Sequence, residues 1–459
     1  MNQWVDAIQY RRLRAPRRDG QALVEPPLSE AASLLQRNVA QRLSQDCDIH
    51  GRRLHELQAD ARSRLLRAAI RYTRQYRDLN NLPDSDAAIV AAGHQPELVH
   101  AGVWFKNFVL SHLAGQSNAW AVNLLIDNDV VRSTALRVPG GSVEDPNVVS
   151  VPMDEPGEPV PFEARDIHDQ PLFASFAGRV TDTLRPLVPD PLIGWLWPAA
   201  VDAAREHKNL GQCLAQARHA FEGQWGLQSL EIPLSSVCDD LPFRWFAAHL
   251  LSEAGRLKQI YNHSLHEYRR VNRVRSHTHP VADLVERDDW IETPFWLWAR
   301  ATPVRRPAFV RPRADGMDLT DFAGIRIHLQ IGPDSDAQRA VEQISALAED
   351  GVLLRPRALI TTMFARLILS DLFIHGIGGA KYDQLTDAIV RRFLGIENPD
   401  FLVATYTAML PVRRISVDET DIRRTVQQLR ELAFHPELHV DQTEMTAALI
   451  AEKRRLVHS

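Results

Sequence analysis

The alternation of apolar and polar positions divides the chain into a helical opening, an α/β middle and a helical close. Residues 29–43 and 51–79 carry apolar side chains at helical spacing, the second run through Leu54, Leu57, Ala61, Leu65 and Ile70, and Ser29 is placed to cap the first. Asn80-Asn81-Leu82-Pro83-Asp84 ends this pair. Residues 87–92 are then too short and apolar for an ordinary helix, which predicts a strand covered on both faces. Gly93-His94-Gln95-Pro96 stops that strand, an amphipathic helix follows over 102–113, and a second apolar run over 119–126 ends on Asp127-Asn128-Asp129. Strand, loop, helix and strand in this order predict a parallel crossover, and ligands of open α/β sheets sit beyond the strands' carboxyl ends. The clusters around His94 and Asp127 are therefore expected to open onto one crevice.

Further along, 130–138 and 147–153 read as a hairpin, 154–165 as a proline-rich loop, and 167–224 as an inserted helical region rich in Trp and Ala. A strand is expected over 227–237, with Asp239-Asp240 just beyond it. Residues 242–272 predict one continuous helix about 45 Å long, with Phe243, Phe246, Leu250, Leu257, Tyr261, Leu265 and Tyr268 as its buried stripe. Residues 292–298 and 324–331 read as further β structure, and two helices broken near His435-Pro436 close the chain. The expected organisation is a helical preface (1–83), the first half of an α/β core (84–155), a helical insertion (156–226), the second half of the core (227–412) and C-terminal helices (413–459).

Composition narrows the function classes. Asp and Glu number 58 against 53 Lys and Arg, a formal charge of -5 over 459 residues, which predicts no general attraction to nucleic acid or to anionic membrane. Cys47, Cys213 and Cys238 are far apart and share no metal-ligand spacing, a usage that fits a reducing compartment. No apolar stretch reaches membrane-spanning length, and residues 1–21 are polar and Arg-rich without a secretory core. A cytoplasmic protein with a small-molecule substrate is expected. Arg11, Arg12, Arg14, Arg17 and Arg18 resemble an anion-binding arm, but a solvated terminus is the simpler reading. His263, His266, His277 and His279 lack an HExxH pattern, because Arg270 stands where a second zinc ligand would be needed. A polar pocket wall, including Asn262 and Arg269, or a helix-capping role is expected there instead of a metal.

Residues 353–394 form the second informative stretch. Arg355-Pro356-Arg357 precedes an apolar helix over 358–369, a short strand ends at Ile374-His375, and Gly376-Ile377-Gly378-Gly379 turns into a helix expected from Ala380. Glycines ahead of a helix leave backbone N–H groups aimed at an approaching anion. The pattern is neither the nucleoside-triphosphate P-loop nor the dinucleotide GxGxxG, since Lys381 replaces the third glycine. The polar crowd of His375, Lys381, Tyr382 and Asp383 beside an apolar stretch strengthens the reading of a site over that of a tight connection. In this scheme His94, Gln95 and Lys381 hold an anionic group, supported by the Gly378 and Gly379 amides. Asp127 or Asp129 would orient or deprotonate an amine, or bind magnesium if ATP takes part, although strand-end caps also account for them. His100, Arg355, His375 and Tyr382 complete the candidate substrate-binding set.

Gly93-His94-Gln95-Pro96, Asp127-Asn128-Asp129, and the series from Arg355-Pro356 through Gly378-Gly379-Ala380-Lys381-Tyr382 resemble motifs of the bacillithiol biosynthesis cysteine-adding enzymes. That resemblance covers about a third of the chain. It implies a Rossmann-like parallel-sheet core similar to nucleotidyltransferases, a helical insertion, helical terminal regions and possible homodimer formation. It also implies amide-bond formation between cysteine and a malyl-glucosamine acceptor. The chain departs from the family in its Asp-Asn-Asp strand end, in the additional His100, and in C-terminal helices too short for the family's coiled-coil arm. His94 and His100 are similar in placement to the paired histidines of nucleotidyltransferase-like folds, but their spacing differs from the His-x-Gly-His signature. A nucleotidyl or glycosyl transferase of the same fold, and a noncatalytic small-metabolite binder, stand as alternatives.

Overall fold

The computed structural model describes residues 8–98, 100–332, 334, 336–413, 416–441 and 443–457. It shows a mixed α/β protein around a six-stranded, mostly parallel sheet. Across that sheet the strands run Gln21–Glu25, Phe401–Thr407, Leu372–His375, Ile89–His94, Trp120–Leu125 and Leu230–Pro233. Only the Gln21–Glu25 edge is antiparallel to its neighbour. From Ile89–His94 the chain winds outward through Trp120–Leu125 to Leu230–Pro233. It then returns to the opposite side of Ile89–His94 and winds outward again through Leu372–His375 to Phe401–Thr407. The direction of winding therefore reverses between Ile89–His94 and Leu372–His375, where the connections part and leave a crevice at the strands' carboxyl ends.

Side-chain alternation explains why these strands are apolar throughout. Val90, Ala92, Ala121, Ile374, Leu402 and Ala404 face the helices Leu28–Ser44 and Ala101–Gln116, whereas Ile89, Ala91, Val122, Leu124 and Phe373 face the larger core on the other side. Ala101–Gln116 lies so close to the Phe401 strand that a Cβ on Gly102 would come within 2.8 Å of Thr405 Oγ1 and 2.9 Å of the Tyr406 carbonyl. Glycine is what lets this helix start at the crevice.

Between Leu230–Pro233 and Leu372–His375 the chain builds a second, antiparallel sheet from Trp290–Ala299, Thr302–Arg313, Gly316–Thr320, Arg326–Leu329 and Val352–Pro356, with Glu286–Arg287 beside the first of these. The region expected to continue the core thus holds a separate layer. The insertion after the first crossover is a hairpin, Ala135–Gly141 with Pro146–Pro152, and three helices, Gln170–Leu184, Ile193–Glu206 and Leu210–Gln224. Its own core centres on Trp197, whose ring lies 4.7 Å from Phe173 and 4.5 Å from Phe176.

Four expectations need correction. The helical preface contributes the Gln21–Glu25 edge strand, so it belongs to the main sheet. The predicted cap at Ser29 is not made; the helix begins at Leu28 after Pro27, without a side-chain cap. The strand expected over 227–237 stops at Pro233 and becomes the short helix Leu234–Cys238. The single helix over 242–272 is two, Leu241–Ser252 and Ala254–Val271, because Glu253 leaves helical geometry at φ -112° and ψ 29°. The two halves serve different partners: Phe243 and Phe246 meet Phe364, while Ser264 and Glu267 accept from Arg392. Helices Glu419–Phe434 and Glu444–Val457 end the described chain and bury none of their residues. No helix among the described residues is long and apolar enough to cross a membrane.

Candidate functional site

A cavity of about 1140 Å³ opens at the sheet reversal. His94, Gln95, His100, Asp129, His375, Gly378, Gly379, Lys381 and Tyr382 all line it, so segments nearly three hundred positions apart share one crevice. The antiparallel sheet supplies the facing wall through Trp296, Arg305 and Arg357. Seven lysines and arginines line the space (Arg14, Arg17, Lys106, Arg132, Arg305, Arg357 and Lys381) against one carboxylate, Asp129. In a chain whose formal charge is -5 this is a local inversion of sign, and it selects for an anionic ligand.

The Gly376 turn positions the first histidine. Helix Ile377–Leu394 begins one turn earlier than expected, with Gly376 as its cap, so Gly378 and Gly379 lie inside the first turn. Ala380 donates to the Gly376 carbonyl at 3.0 Å, whereas no hydrogen bond is made by the amides of 377–379 among the described residues. Those amides still point out of the helix start, where its dipole favours negative charge. A Cβ on Gly379 would come 2.8 Å from His375 Nδ1, so only glycine admits the ring. His375 Nε2 sits 2.8 Å from Asp383 Oδ2, and Asp383 also receives Thr362 Oγ1 at 2.8 Å and Arg366 Nη1 at 2.5 Å. Burial would raise the Asp383 carboxyl, but Arg366 and His375 hold it well below the usual carboxylate range. Burial depresses His375 and Asp383 only partly opposes it, so the imidazole is neutral near pH 7.

His94 ends the neighbouring strand and is its counterpart without a holder. It is only 4% exposed, neither ring nitrogen has a hydrogen-bond partner among the described residues, and burial followed by the charges of Arg218 and Lys106 pushes it well below its ordinary value. Lys106, from Ala101–Gln116, lies alongside; its Nζ donates to the Gly93 carbonyl at 2.7 Å, and burial with Arg218 lowers it to about 8. Behind these two groups is a buried polar layer. Arg218 donates to Glu222 Oε1 at 2.8 Å and to Glu231 Oε1 at 2.5 Å, Trp104 and Asn107 also donate to Glu222, and Asn123 donates to Glu231. This layer fixes the Ala101–Gln116 helix against the sheet. His219, Glu222 and Glu231 have metal-compatible spacing, but Arg218 already supplies a counter-charge to both carboxylates.

On the facing wall, Trp296 carries two guanidinium groups, Arg305 at 4.8 Å and Arg357 at 4.3 Å from the ring centroid. Arg305 donates to Asp129 Oδ1 at 3.0 Å and Gln95 donates to Asp129 Oδ2 at 3.0 Å, while Arg357 is held by Glu292 at 2.6 Å. Tyr382 lines the floor, its phenol pushed up to about 12 by burial and by Asp383 and Asp129. His100 lines the rim and caps Ala101–Gln116, its Nδ1 accepting from the Gly102 amide at 3.1 Å.

Four expected residues lie outside the lining. Asp127 turns away from its neighbour Asp129: its carboxylate receives the Ser235 amide at 2.9 Å and the Ser235 hydroxyl, anchoring Leu234–Cys238. Burial and the nearby Glu163 push it up to about 7. Arg355 is buried between Glu163, at 2.9 Å, and Asp239, at 2.8 Å, and tethers the insertion to the antiparallel sheet. Asn262 exchanges two hydrogen bonds with the Leu284 backbone. Arg269 holds Asp283 at 2.6 Å and the carbonyls of His277 and Val281, and so braces the Pro280–Val281–Ala282 rim. His266 meets Asp283 at 2.5 Å, an ion-pair arrangement that accounts for part of the histidine cluster.

Sequence reasoning missed Lys106, Trp296, Arg305 and Arg357 as site residues, and set Arg14 and Arg17 aside by preferring a solvated terminus to an anion-binding arm. Of the four missed, Lys106 left a signal, a lysine at helical spacing from Val109 and Leu110 on a face that is otherwise apolar. Arg14 and Arg17 reach the cavity because Leu13 is buried against Ala380, Phe401 and Val403, and the Pro16 carbonyl accepts from Thr407 Oγ1 at 2.7 Å. The arm read as a solvated terminus is thus a strap along the site. No protein-family model matches the chain, and no curated protein is significantly similar to it.

Proposed function

We propose that the chain is an enzyme of ligase type on a Rossmann-like core, joining an amino acid to a small carboxylate- or sugar-containing acceptor through an amide bond. The observation that carries this reading is the pairing, at one sheet reversal, of two neutral histidines with a helix start and seven cationic side chains. A single anion-binding surface would not require imidazoles kept uncharged; proton transfer during a reaction does. In the reaction the substrate amine attacks an activated acyl carbon, the new N–C bond forms and the leaving group departs with its electron pair. His94, neutral and unpartnered, accepts the proton released from the amine. The amides of Gly378 and Gly379 and the Lys381 ammonium stabilise the oxyanion, and Asp383 keeps His375 oriented.

The strand order supports the Rossmann-like assignment, and the resemblance to cysteine-adding enzymes supports cysteine as the amino acid. The cationic lining suits the phosphates of ATP. A resident magnesium fits poorly, because the single lining carboxylate, Asp129, is already engaged by Gln95 and Arg305. The cavity exceeds the range of about 300–1,000 Å³ usual for small-molecule sites, which favours a second reading, a nucleotidyl or glycosyl transferase with a bulky phosphorylated donor. The exposed apolar side chains of the C-terminal helices, among them Ile422, Val426 and Leu429, support self-association as a homodimer. A thermal-shift screen with cysteine, other amino acids, acidic sugars, sugar phosphates and ATP tests the reading, followed by mass spectrometry for an amide product. Changing His94 and Lys381 together to alanine should abolish ligand-induced stabilisation, and an unchanged response by the double variant would remove this cavity from consideration.

A further inference from the structure

Lys106 is unusual among the cations of the cavity. The others lie near the surface or are paired; Lys106 is 5% exposed, lines the cavity and makes no ion pair among the described residues. Among the described residues its one hydrogen bond goes to the uncharged Gly93 carbonyl, 2.7 Å away. The groups that face it are the wrong sign or neutral: His94 from its neighbouring strand, His375 from the next strand, and Arg218 from Leu210–Gln224. The nearby carboxylates of Glu222 and Glu231 each engage Arg218 and at least one neutral donor through Oε1 alone, and neither makes a hydrogen bond or ion pair with Lys106 among the described residues. An ammonium buried without a counter-ion is costly, and the cost is relieved either by losing the proton or by gaining an anion. His94, beside it, is a second buried polar group with no partner. Two adjacent buried groups lining a cationic cavity, one without a counter-ion and one without a hydrogen-bond partner among the described residues, mark where a ligand atom belongs.

We propose that Lys106 is the primary anchor for the acidic group of the ligand, and that in alkaline solution, where the empty site lets its proton go, the ligand's arrival restores the charge by proton uptake. This rests on the reading of the cavity as a site for anionic small molecules, and adds which residue seats the acid and what accompanies its binding. The shared chemistry is a compact oxyanion, either a phosphate-type tetrahedral group or a carboxylate.

The sign of the coupling follows from the groups present. With its amine lowered to about 8, Lys106 is mostly uncharged at pH 9, and a bound anion raises it, so a proton is taken up. His94 and His375 are depressed by burial and remain neutral at pH 9 with or without ligand, so they contribute nothing there. Sulfate has no proton to exchange at that pH. Calorimetric titration of the full chain with sulfate at pH 9, in two buffers of different ionisation enthalpy, should show uptake approaching about one proton per anion bound. Malonate in a parallel titration separates the two sources: stronger binding of sulfate points to a phosphate-type group, and stronger binding of malonate to a carboxylate. Lys106→Met should lower affinity about tenfold or more and abolish uptake. Lys106→Arg, which stays charged, should bind without uptake, and Lys381→Met should weaken binding while leaving uptake in place. If Lys106→Met binds as wild type does, or if Lys106→Arg still takes up a proton, another residue anchors the acid and the proposal fails while the anionic-site reading survives. If neither anion binds the wild-type chain, both fall together.

Discussion

Replacing His94 with leucine should make the protein more stable and useless for binding, and the size of the gain can be worked from the site. Both ring nitrogens of His94 are buried and unpartnered, and an unsatisfied buried donor or acceptor costs about 1–3 kcal/mol. Leucine removes that cost. Imperfect shape match in a packed site returns roughly 1 kcal/mol of it, leaving a net gain of about 1 kcal/mol near pH 7.5. The gain should grow in acid. Burial holds His94 well below its ordinary value, so below about pH 6.5 the unfolded chain binds a proton that the folded chain refuses. Stability contributed by the neutral ring is therefore fully present above that pH and lost as pH falls, at about 1.4 kcal/mol per unit. At pH 5 the leucine variant avoids a further loss of about 2 kcal/mol, so its advantage should reach roughly 3 kcal/mol. Urea unfolding followed by tryptophan fluorescence at pH 7.5 and 5.0 measures both values, and a sulfate titration measures the loss of binding. A variant less stable at pH 7.5, with a gap that does not widen in acid, would falsify the picture of His94 as an unpaired, neutral ring kept for function.

Three other variants separate positioning from contact. Gly379→Ala should gain about 0.5–1 kcal/mol of helix propensity and still weaken ligand binding, because its Cβ meets His375 Nδ1 at 2.8 Å and the ring is pinned by Asp383; a histidine NMR titration should show the His375 resonance altered, and an unchanged one counts against the clash. Arg14→Gln with Arg17→Gln should leave the melting temperature within about 1 °C, since both side chains are exposed, while lowering affinity for a large anionic ligand; equal affinity would return the strap to the solvated role. Arg355→Ala should cost about 3–5 kcal/mol by stranding Glu163 and Asp239, and a loss below about 1 kcal/mol by denaturant titration would mean the insertion is tethered elsewhere.

What could be seen in the sequence follows a physical divide. The crossover from Ile89 to Leu125 was legible because strands buried on both faces are apolar at every position and end abruptly in polar residues. The Gly376 turn was legible for the same reason, as a polar crowd at the end of an apolar run. Asp127 and Asp129 were not separable, because two positions of one turn look alike until the fold sends one to Ser235 and the other to Arg305. The break at Glu253 was hidden because the apolar helical stripe continues across it, although Ser252 and Gly255 flank it as weak helix formers. Trp296, Arg305 and Arg357 could not be found at all. Their shared wall depends on strand register, with Trp296 opposite Arg355 and Pro307, and neither pairing has a local signature.

The cavity's charge is assembled in a way that says what kind of ligand holds the two sheets to a common task. The parallel sheet and the helix Ala101–Gln116 packed on it contribute His94 and Lys106, both buried and both lowered by that burial, the first neutral and the second without a counter-ion among the described residues. The antiparallel sheet contributes guanidinium groups that never lose their charge and are fixed in orientation by Trp296, Asp129 and Glu292. A ligand that needed only attraction would be served by the second wall alone. One that needed only proton transfer would gain nothing from seven cations, one of which, Lys106, helps to depress the very bases that must accept protons. On the proposed reading, an acidic substrate held by the guanidinium wall brings negative charge beside Lys106 and the histidines and so opposes the burial that lowers all three.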